Sequence, residues 1–457
     1  MENQEIIKFY PYKLFDKSEK SYLYASKTGG IYLIDDIVKK IFEFEGKTYK
    51  ETLDWFKCNG YGNDFIEAIN IFEKKCVLQT EENNKNLLNT KINNNVSCIT
   101  LMVAQECNLR CRYCYGDDGE YSECGLMSIQ TARQAIKFLM ENSSNKDVEV
   151  IFFGGEPLIN FKLIKESVAY SKELAEEYKK HVDFSMTTNA TLVNKDIAEF
   201  LKENNFFITI SIDGDEKIHN TNRFYSNKKG SYKDVIKGLE ILKEVAVPMV
   251  ARATASPENI DFVKSAEHLI DLDFQSLFIS EALNLFKTDD DYKILKNEYI
   301  KMVNQLKLYL ENENYKGIKK NNNIIKILRA LHKAGLRNKF CGAMINMMTI
   351  DKDGYLYPCH RFVANKEYKI GNVFDGVNDD KYNQIIEKDL SLVGRNKCFS
   401  CWAYNICGGG CPNENLLATG KCNEPFLKKC EVFKDFVESL INIYLELNEN
   451  EKKLIFA

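Results

Sequence analysis

The sequence predicts an α/β fold: a partial barrel of six strand–helix units, set between a small mixed domain and a cysteine-rich C-terminal field. Three observations predict it. Six short apolar runs lie between Ser97 and Ser280, and amphipathic helical patterns separate them. The first 80 or so residues are instead rich in aromatic and β-branched residues, followed by helical patterns. After Phe340 regular patterning fades, and cysteine and glycine take over.

In chain order, Ile6–Phe15 and Ser21–Leu33 have the composition of short strands, with a turn at Gly29–Gly30. Helical patterns follow at Asp35–Glu45, Thr48–Asn59 and Asn63–Lys75, then a short apolar stretch, Cys76–Gln79. Glu81–Asn95 is Asn/Lys/Glu-rich without periodicity and reads as a linker. The barrel strands are expected at Ser97–Val103, Val148–Phe153, Asp183–Thr188, Phe207–Ile212, Pro248–Thr254 and Ser276–Ser280. Helices are expected at Ser128–Asn142, Phe161–Lys179, Lys195–Asn204, Tyr232–Glu244 and Asn259–Ile270. Strands joined in series by helices must run parallel, because parallel neighbours need a crossover. Six strands are too few for the full eightfold barrel, and functional residues belong on loops at the strand C-termini. Lys287–Lys339 reads as a charged helical bridge and Phe426–Leu447 as a closing helix. The expected domains are 1–82, a linker 83–96, a barrel 97–286, a bridge 287–339, a cysteine-rich domain 340–435 and a terminal helix 436–457.

Composition narrows the function. Lys+Arg of 62 against Asp+Glu of 66 leaves a net charge of −4, against a general nucleic-acid binder. Neither a signal-peptide core nor a membrane-length apolar run is present, so a soluble cytoplasmic protein with no membrane partner is expected. Fifteen cysteines in such a chain read as metal sites rather than disulfides. Cys58, Cys76, Cys98 and Cys124 are scattered; the others fall at Cys107–Cys114 and Cys341–Cys430, with none between Gly125 and Phe340.

Cys107-Asn-Leu-Arg-Cys111-Arg-Tyr113-Cys114 follows directly on the first barrel strand. Three thiolates at spacings of four and three residues can converge on one cubane and leave its fourth iron without a protein ligand. The bland alternative is an incomplete zinc site. C-x3-C-x2-C with an aromatic before the last cysteine resembles the signature of radical S-adenosylmethionine (SAM) enzymes. The resemblance implies that SAM chelates the open iron and, on reductive cleavage, yields a 5′-deoxyadenosyl radical, the cofactor carrying the hard chemistry. Similar loops follow. Gly154-Gly155-Glu156-Pro157 looks like the family's motif for the SAM amino group. Thr188-Asn189 resembles the ribose-side motif. Ser211 stands where similar enzymes use a serine near the SAM carboxylate. Arg223 or Arg252 is expected to pair with that carboxylate through a bidentate guanidinium.

Cys341-x12-Gly354-x4-Cys359 is followed by Cys398-x2-Cys401-x5-Cys407-x3-Cys411 and, after eighteen intervening residues, Cys430. Alone, the middle four could form a zinc knot. Order and spacing resemble the SPASM extension, which carries two auxiliary 4Fe–4S clusters in peptide-modifying radical SAM enzymes. That resemblance implies an outer cluster on Cys398, Cys401, Cys407 and Cys430, and an inner one on Cys341, Cys359 and Cys411. Three 4Fe–4S clusters and SAM are thus the expected cofactors. Two auxiliary cubanes need eight ligands and the pattern supplies seven. Cys422 is a possible eighth, but an open inner iron is the preferred expectation.

The N-terminal strands and helices resemble the winged-helix-like peptide-recognition domain of ribosomal-peptide modification systems, in which a leader peptide adds as a strand; a structural cap is the alternative. The function expected is a maturase installing thioether cross-links in a ribosomally made, Cys-containing precursor peptide (the sactipeptide or ranthipeptide class), with flavodoxin or ferredoxin as electron donor. The alternatives are formylglycine formation in sulfatases and carbon–carbon cross-linking. Sulfatase-maturing enzymes carry an Asp where His360 follows Cys359 here, which weighs against the first.

Overall fold

The computed structural model describes residues 3–80, 95–335, 341–343, 345–386 and 396–457. Nearly all of the expected linker at 83–96, and the end of the expected bridge, lie outside the described residues.

The N-terminal module is an antiparallel sheet in the order β1 (Tyr12–Lys17), β2 (Lys20–Ala25), β3 (Gly30–Ile34). The stretch Ser21–Leu33 holds β2 and β3, and the turn expected at Gly29–Gly30 falls slightly earlier, at Ser26–Gly29. Between β1 and β2, Ser18 and Glu19 take φ of 49° and 60°, the left-handed pair that a two-residue hairpin needs. No Gly or Asn announces that turn. Helices α1 (Asp36–Ile41), α2 (Tyr49–Cys58) and α3 (Gly62–Lys74) follow. Asp35 caps α1, and Thr48 with Glu51 forms a capping box on α2, satisfying N–H groups that a helix start leaves unpaired. The module has its own core of Ile7, Phe9, Leu23, Phe56, Phe65 and Phe72.

The barrel sheet runs β10-β9-β8-β7-β6-β4, all parallel: β4 (Cys98–Gln105), β6 (Asp147–Gly154), β7 (His181–Thr188), β8 (Phe207–Ser211), β9 (Met249–Ala255) and β10 (Leu277–Glu281), with β5 (Gly125–Leu126) paired to β4. These are the six expected strands. Helices α4 (Ile129–Asn142), α5 (Phe161–Glu177), α6 (Lys195–Glu203), α7 (Glu216–Asn222), α8 (Tyr232–Glu244) and α9 (Phe262–Asp271) cover the outer face. On β9, Met249, Ala251, Ala253 and Ala255 are buried, whereas Val250, Arg252 and Thr254 between them are not and face the lumen.

Helices α10 (Asp289–Glu311), α11 (Tyr315–Lys320) and α12 (Asn322–Lys333) build the bridge. At the start of α12 the Asn323 side chain accepts from Ile279 N at 2.8 Å and donates to Ile279 O at 2.7 Å, so the outer edge of β10 is covered.

The cysteine-rich region is more regular than its sequence suggests. Strand β11 (Met347–Ile350) joins the barrel sheet parallel to β4, and β12 (Tyr355–Tyr357), β13 (Gly371–Asn372) and β14 (Gly376–Val377) extend it antiparallel. Strands of two to four residues are too short to show a period-two pattern. This extension flanks β4, and every residue of β4 is buried. Short helices α13 (Asp379–Ile385), α14 (Asn396–Phe399), α15 (Tyr404–Cys407) and α16 (Pro412–Thr419) follow. Then α17 (Leu427–Glu446) packs against α10 and α12, and α18 (Glu449–Phe456) ends the chain. Lys13 and Lys17 on β1 pair with Glu438 and Glu446 on α17 at 3.1 and 2.7 Å, and Trp402 meets the rings of Phe15 and Tyr24.

Candidate active site

The loop after β4 carries Cys107, Cys111 and Cys114. It is pinned by backbone bonds to the 222–225 stretch: Arg112 N to Asn222 O at 3.0 Å and Arg110 N to Phe224 O at 2.7 Å. Burial pushes the Cys107 thiol up to about 12 and Cys111 to about 11, and each of the two feels charge on Cys114 as well. Backbone N–H groups of Gly116 and Gly119 counter this at Cys114. Thiols that burial keeps protonated, grouped and approached by N–H donors, ionise when a metal takes the proton's place. The donor set therefore fits an iron–sulfur cluster.

The loop after β6 closes on this one. A Cβ on Gly154 would lie 2.1 Å from Ala104 O, and one on Gly155 would lie 2.2 Å from Glu106 O. The paired glycines thus let β6 and its loop approach the chain's own backbone beside Cys107. Glu156 is buried, and its carboxylate accepts from Thr188 Oγ1 at 2.7 Å, Asn189 N at 2.7 Å and Leu158 N at 3.1 Å. Burial still holds its carboxyl up at about 7. Asn189 Nδ2 donates to Asn108 Oδ1 at 2.9 Å and lies 3.8 Å from Cys107 Sγ. The structure thus brings Gly154, Gly155, Glu156, Thr188 and Asn189 together around Cys107. Most of Glu156's acceptor capacity is spent holding the β6 and β7 loops.

Sequence reasoning left Asp213 without a role. Its carboxylate accepts from Tyr113 Oη at 2.6 Å, Arg223 Nε at 3.0 Å and Thr254 N at 2.9 Å, and Asp213, Arg223 and Tyr113 all act on Cys111. The Arg223 guanidinium also lies over the Tyr113 ring, 5.2 Å from its centroid. Behind Asp213, buried His219 accepts from Asp213 N through Nδ1 at 3.4 Å, and its Nε2 lies 2.9 Å from Ser231 Oγ. The signal available was a carboxylate two residues past Ser211 in a strand-end turn.

Of the two expected arginines, Arg223 is committed to Asp213. Arg252 makes no ion pair among the described residues; it is the register partner of Ser211 and lies 4.5 Å from the Phe278 ring centroid. It is solvent-accessible, yet desolvation and the nearby Arg361 lower its pKa, the mark of a cation inside a concave lumen. The same lumen holds His360, stacked on Phe153 at 4.5 Å and beside Tyr115 at 6.0 Å. Burial, Arg361 and Arg252 hold the imidazole down at about 3, so it is neutral.

The second cysteine field sorts into two groups. Cys359 has Cys411 and Cys341 as its charge neighbours, and burial pushes its thiol up to about 12. Cys430 has Cys407, Cys398 and Cys401, with burial again raising it to about 12. Gly408, Gly409 and Gly410 take φ of 71°, 88° and 76°, and this curl turns the N–H groups of Gly409 and Gly410 toward Cys407. Cys422 is fully buried in the hydrophobic core, with its Sγ 3.0 Å from Tyr368 Oη. Among the described residues no three His, Cys, Asp or Glu side chains stand at the spacing of a single metal ion.

A parallel partial barrel with three half-buried thiols at the C-terminal mouth of its first strand, and two more thiol groups beside it, defines an iron–sulfur enzyme. The chain belongs to the radical SAM superfamily: residues 101–269 match the Radical SAM superfamily model, and residues 341–402 match the SPASM iron–sulfur cluster-binding domain. It is a radical SAM enzyme whose cofactors are SAM, a 4Fe–4S cluster and auxiliary clusters. The cysteine-type anaerobic sulfatase-maturating enzyme of Clostridium novyi (strain NT) is 29% identical over 368 residues, covering 76% of this chain and 96% of that protein. The radical SAM cyclopropyl synthase TigE of Paramaledivibacter caminithermalis is 25% identical over 473 residues, 93% of each chain. In fold, native anSMEcpe with bound AdoMet and Cp18Cys peptide matches with a TM-score of 0.63 at 22% identity, over 77% of this chain and 100% of that one. No helix among the described residues is long and apolar enough to cross a membrane.

Proposed function

We propose that the chain is a cytoplasmic peptide maturase that joins a cysteine sulfur to a carbon of a ribosomally made precursor, forming a thioether. The observation that carries this reading is the three-thiol group of Cys341, Cys359 and Cys411, with Cys422 diverted into the core against Tyr368. A cubane takes four thiolates, and a substrate cysteine is the fitting fourth. Bound at Cys107, Cys111 and Cys114, the SAM-cleaving cluster supplies the hydrogen-abstracting radical, and the auxiliary clusters on the other two thiol groups supply an electron sink.

The chain's own residues hold the reactants. Arg252, unpaired by any described carboxylate and adjacent to Ser211, pairs with the SAM carboxylate, and Arg223 keeps the Cys111 loop in place through Asp213. Gly154, Gly155 and the remaining acceptor capacity of Glu156 face the SAM ammonium, and Thr188 and Asn189 the ribose. Phe153 and neutral His360 form an apolar, stacked wall of the lumen. Holding the sulfur and the reacting carbon together there converts a bimolecular encounter into an oriented one. The N-terminal module acts as a winged-helix-like reader of the leader. One edge of its sheet, β1, is taken up by α17; among the described residues no strand covers the outer edge of β3, where Leu33 is 63% exposed. An extended peptide adds to such an edge through main-chain hydrogen bonds. Flavodoxin or ferredoxin is the electron donor in this reading.

A second reading, formylglycine formation, is favoured by the similarity to the Clostridium novyi enzyme. That match leaves about a quarter of this chain without a counterpart, whereas TigE matches 93% of it. The test is mass spectrometry of a Cys-containing precursor after anaerobic turnover. A thioether removes two hydrogens and leaves sulfur that resists thiol alkylation; formylglycine removes the sulfur. Loss of sulfur would overturn the primary reading in favour of the second.

A further inference from the structure

A chain of partly buried charges links the lumen to the auxiliary thiols, and the proposed function does not use it. Arg361 stands two residues after Cys359 on the segment that returns from β12. Its Nη1 donates to Glu414 Oε1 at 2.7 Å and lies 3.6 Å from Cys411 Sγ, within the reach of an N–H···S bond. Its guanidinium also lies over the ring of Tyr115, the residue following Cys114, 5.0 Å from the centroid. Glu414 is held in turn by Lys429 at 2.9 Å, and Lys429 reaches Glu281 at the end of β10 at 3.6 Å. Tyr299 donates to the other oxygen of Glu281. The Arg361 side chain is three-quarters buried, and Nε has no hydrogen-bond partner among the described residues. A buried donor left unsatisfied calls for a partner the protein does not supply, and the sulfide of an iron–sulfur cluster is an acceptor of that kind.

Resting on the assignment of Cys341, Cys359 and Cys411 to one auxiliary cluster, we infer that Arg361 is a positioning residue that raises the reduction potential of that cluster. It does so by placing a fixed positive charge and an N–H donor against Cys411 Sγ, with Glu414 setting how much of that charge the thiolate feels. Hydrogen bonds to cluster sulfurs and net charge nearby are the protein's levers on such potentials. A raised potential makes this cluster the better acceptor of the electron released when a carbon–sulfur bond closes. The contact with Tyr115 fixes the guanidinium on the side facing the SAM-cleaving loop. Arginine suits the position because its planar fork serves Cys411, Glu414 and an aromatic face together, which a lysine cannot do.

The test is an EPR-monitored redox titration of the full-length, anaerobically reconstituted Cys107→Ala/Cys111→Ala/Cys114→Ala protein, in which only the auxiliary clusters report. Into it go Arg361→Met, Arg361→Lys and, separately, Glu414→Gln, which keeps an acceptor for Arg361 while removing the negative charge. Arg361→Met should lower the inner cluster's electron affinity about tenfold, ~59 mV for a one-electron couple. Arg361→Lys should fall between Met and the parent, and Glu414→Gln should move the potential the opposite way, upward. Iron and sulfide content should not change. An unchanged potential in Arg361→Met, or shifts of the same sign in Arg361→Met and Glu414→Gln, would overturn the inference while leaving the cluster assignment intact. If the parent itself holds one auxiliary cluster rather than two, the underlying assignment fails. Loss of iron in Arg361→Met but not Arg361→Lys would assign the residue to assembly and would equally overturn a role in tuning.

Discussion

Replacing Asp213 with Asn tests whether the SAM-cleaving loop is held by a buried ion pair. Side-chain exposure is 1% for Asp213 and 9% for Arg223, so solvent cannot take over the charge that the substitution abandons. Asn keeps an acceptor for Tyr113 Oη or for Thr254 N, but Arg223 is left as a lone buried cation beside Cys111. Removing one partner of a buried pair costs ~3–5 kcal/mol, most of it from the orphaned charge. Each 1.4 kcal/mol is a factor of ten, so local opening of the loop should rise by about two to three-and-a-half decades. Hydrogen exchange on the cluster-free protein reads this directly: amides of residues 107–114 and 222–225 lose protection, and those of the N-terminal core do not. Asp213→Asn/Arg223→Met, which removes both charges, should recover most of the loss, because replacing a whole buried pair is close to neutral. Unchanged protection in the single variant, or a double variant worse than the single, would refute the reasoning.

The remaining predictions address other parts of the molecule. Reconstituted protein should hold about twelve irons per chain, four for each of three cubanes, and Cys107→Ala/Cys111→Ala/Cys114→Ala should lose about a third; zinc in the C-terminal field would contradict this. Deleting residues 1–82 should abolish modification of a full-length precursor while dithionite-driven cleavage of SAM continues, as chromatography of 5′-deoxyadenosine would show. His219 is buried and its pKa lies well below the ordinary value, chiefly through desolvation and then through Arg223. The unfolded chain therefore takes up a proton below pH ~6.5 that the native state refuses, and stability present above that pH falls as pH falls, by up to ~1.4 kcal/mol per unit. In urea titrations of the cluster-free protein at pH 7 and pH 5, His219→Gln should shrink the difference between the two midpoints.

The barrel was readable because its strands, five to eight residues long, bury every residue or every second one and alternate with amphipathic helices; Ser128 and Asn194 announce α4 and α6. Each cysteine group was readable because its spacing is local. What escaped depends on long-range pairing. Met347–Ile350 shows nothing that assigns it to β4, since its pairing partner, Cys98–Leu101, lies some 250 residues earlier. The β1–β2 turn uses Ser18 and Glu19 at positive φ where Gly or Asn would have signalled it. Asp213, Tyr115 and Arg361 carry no motif; each gains meaning only from neighbours that the fold brings in, namely Arg223, the rings of the lumen wall and Cys411.

The central claim is that a substrate cysteine completes the thiol set of Cys341, Cys359 and Cys411. The direct measurement is EPR of the reduced Cys107→Ala/Cys111→Ala/Cys114→Ala protein, in which the auxiliary clusters are the sole paramagnets, titrated with a Cys-containing precursor peptide and with its Cys→Ser counterpart. The account predicts that the Cys peptide shifts the g-values of one auxiliary cluster in a saturable way, that the Ser peptide does not, and that Cys422→Ala behaves as the parent. A spectrum indifferent to the Cys peptide, together with loss of a cluster in Cys422→Ala, would contradict it.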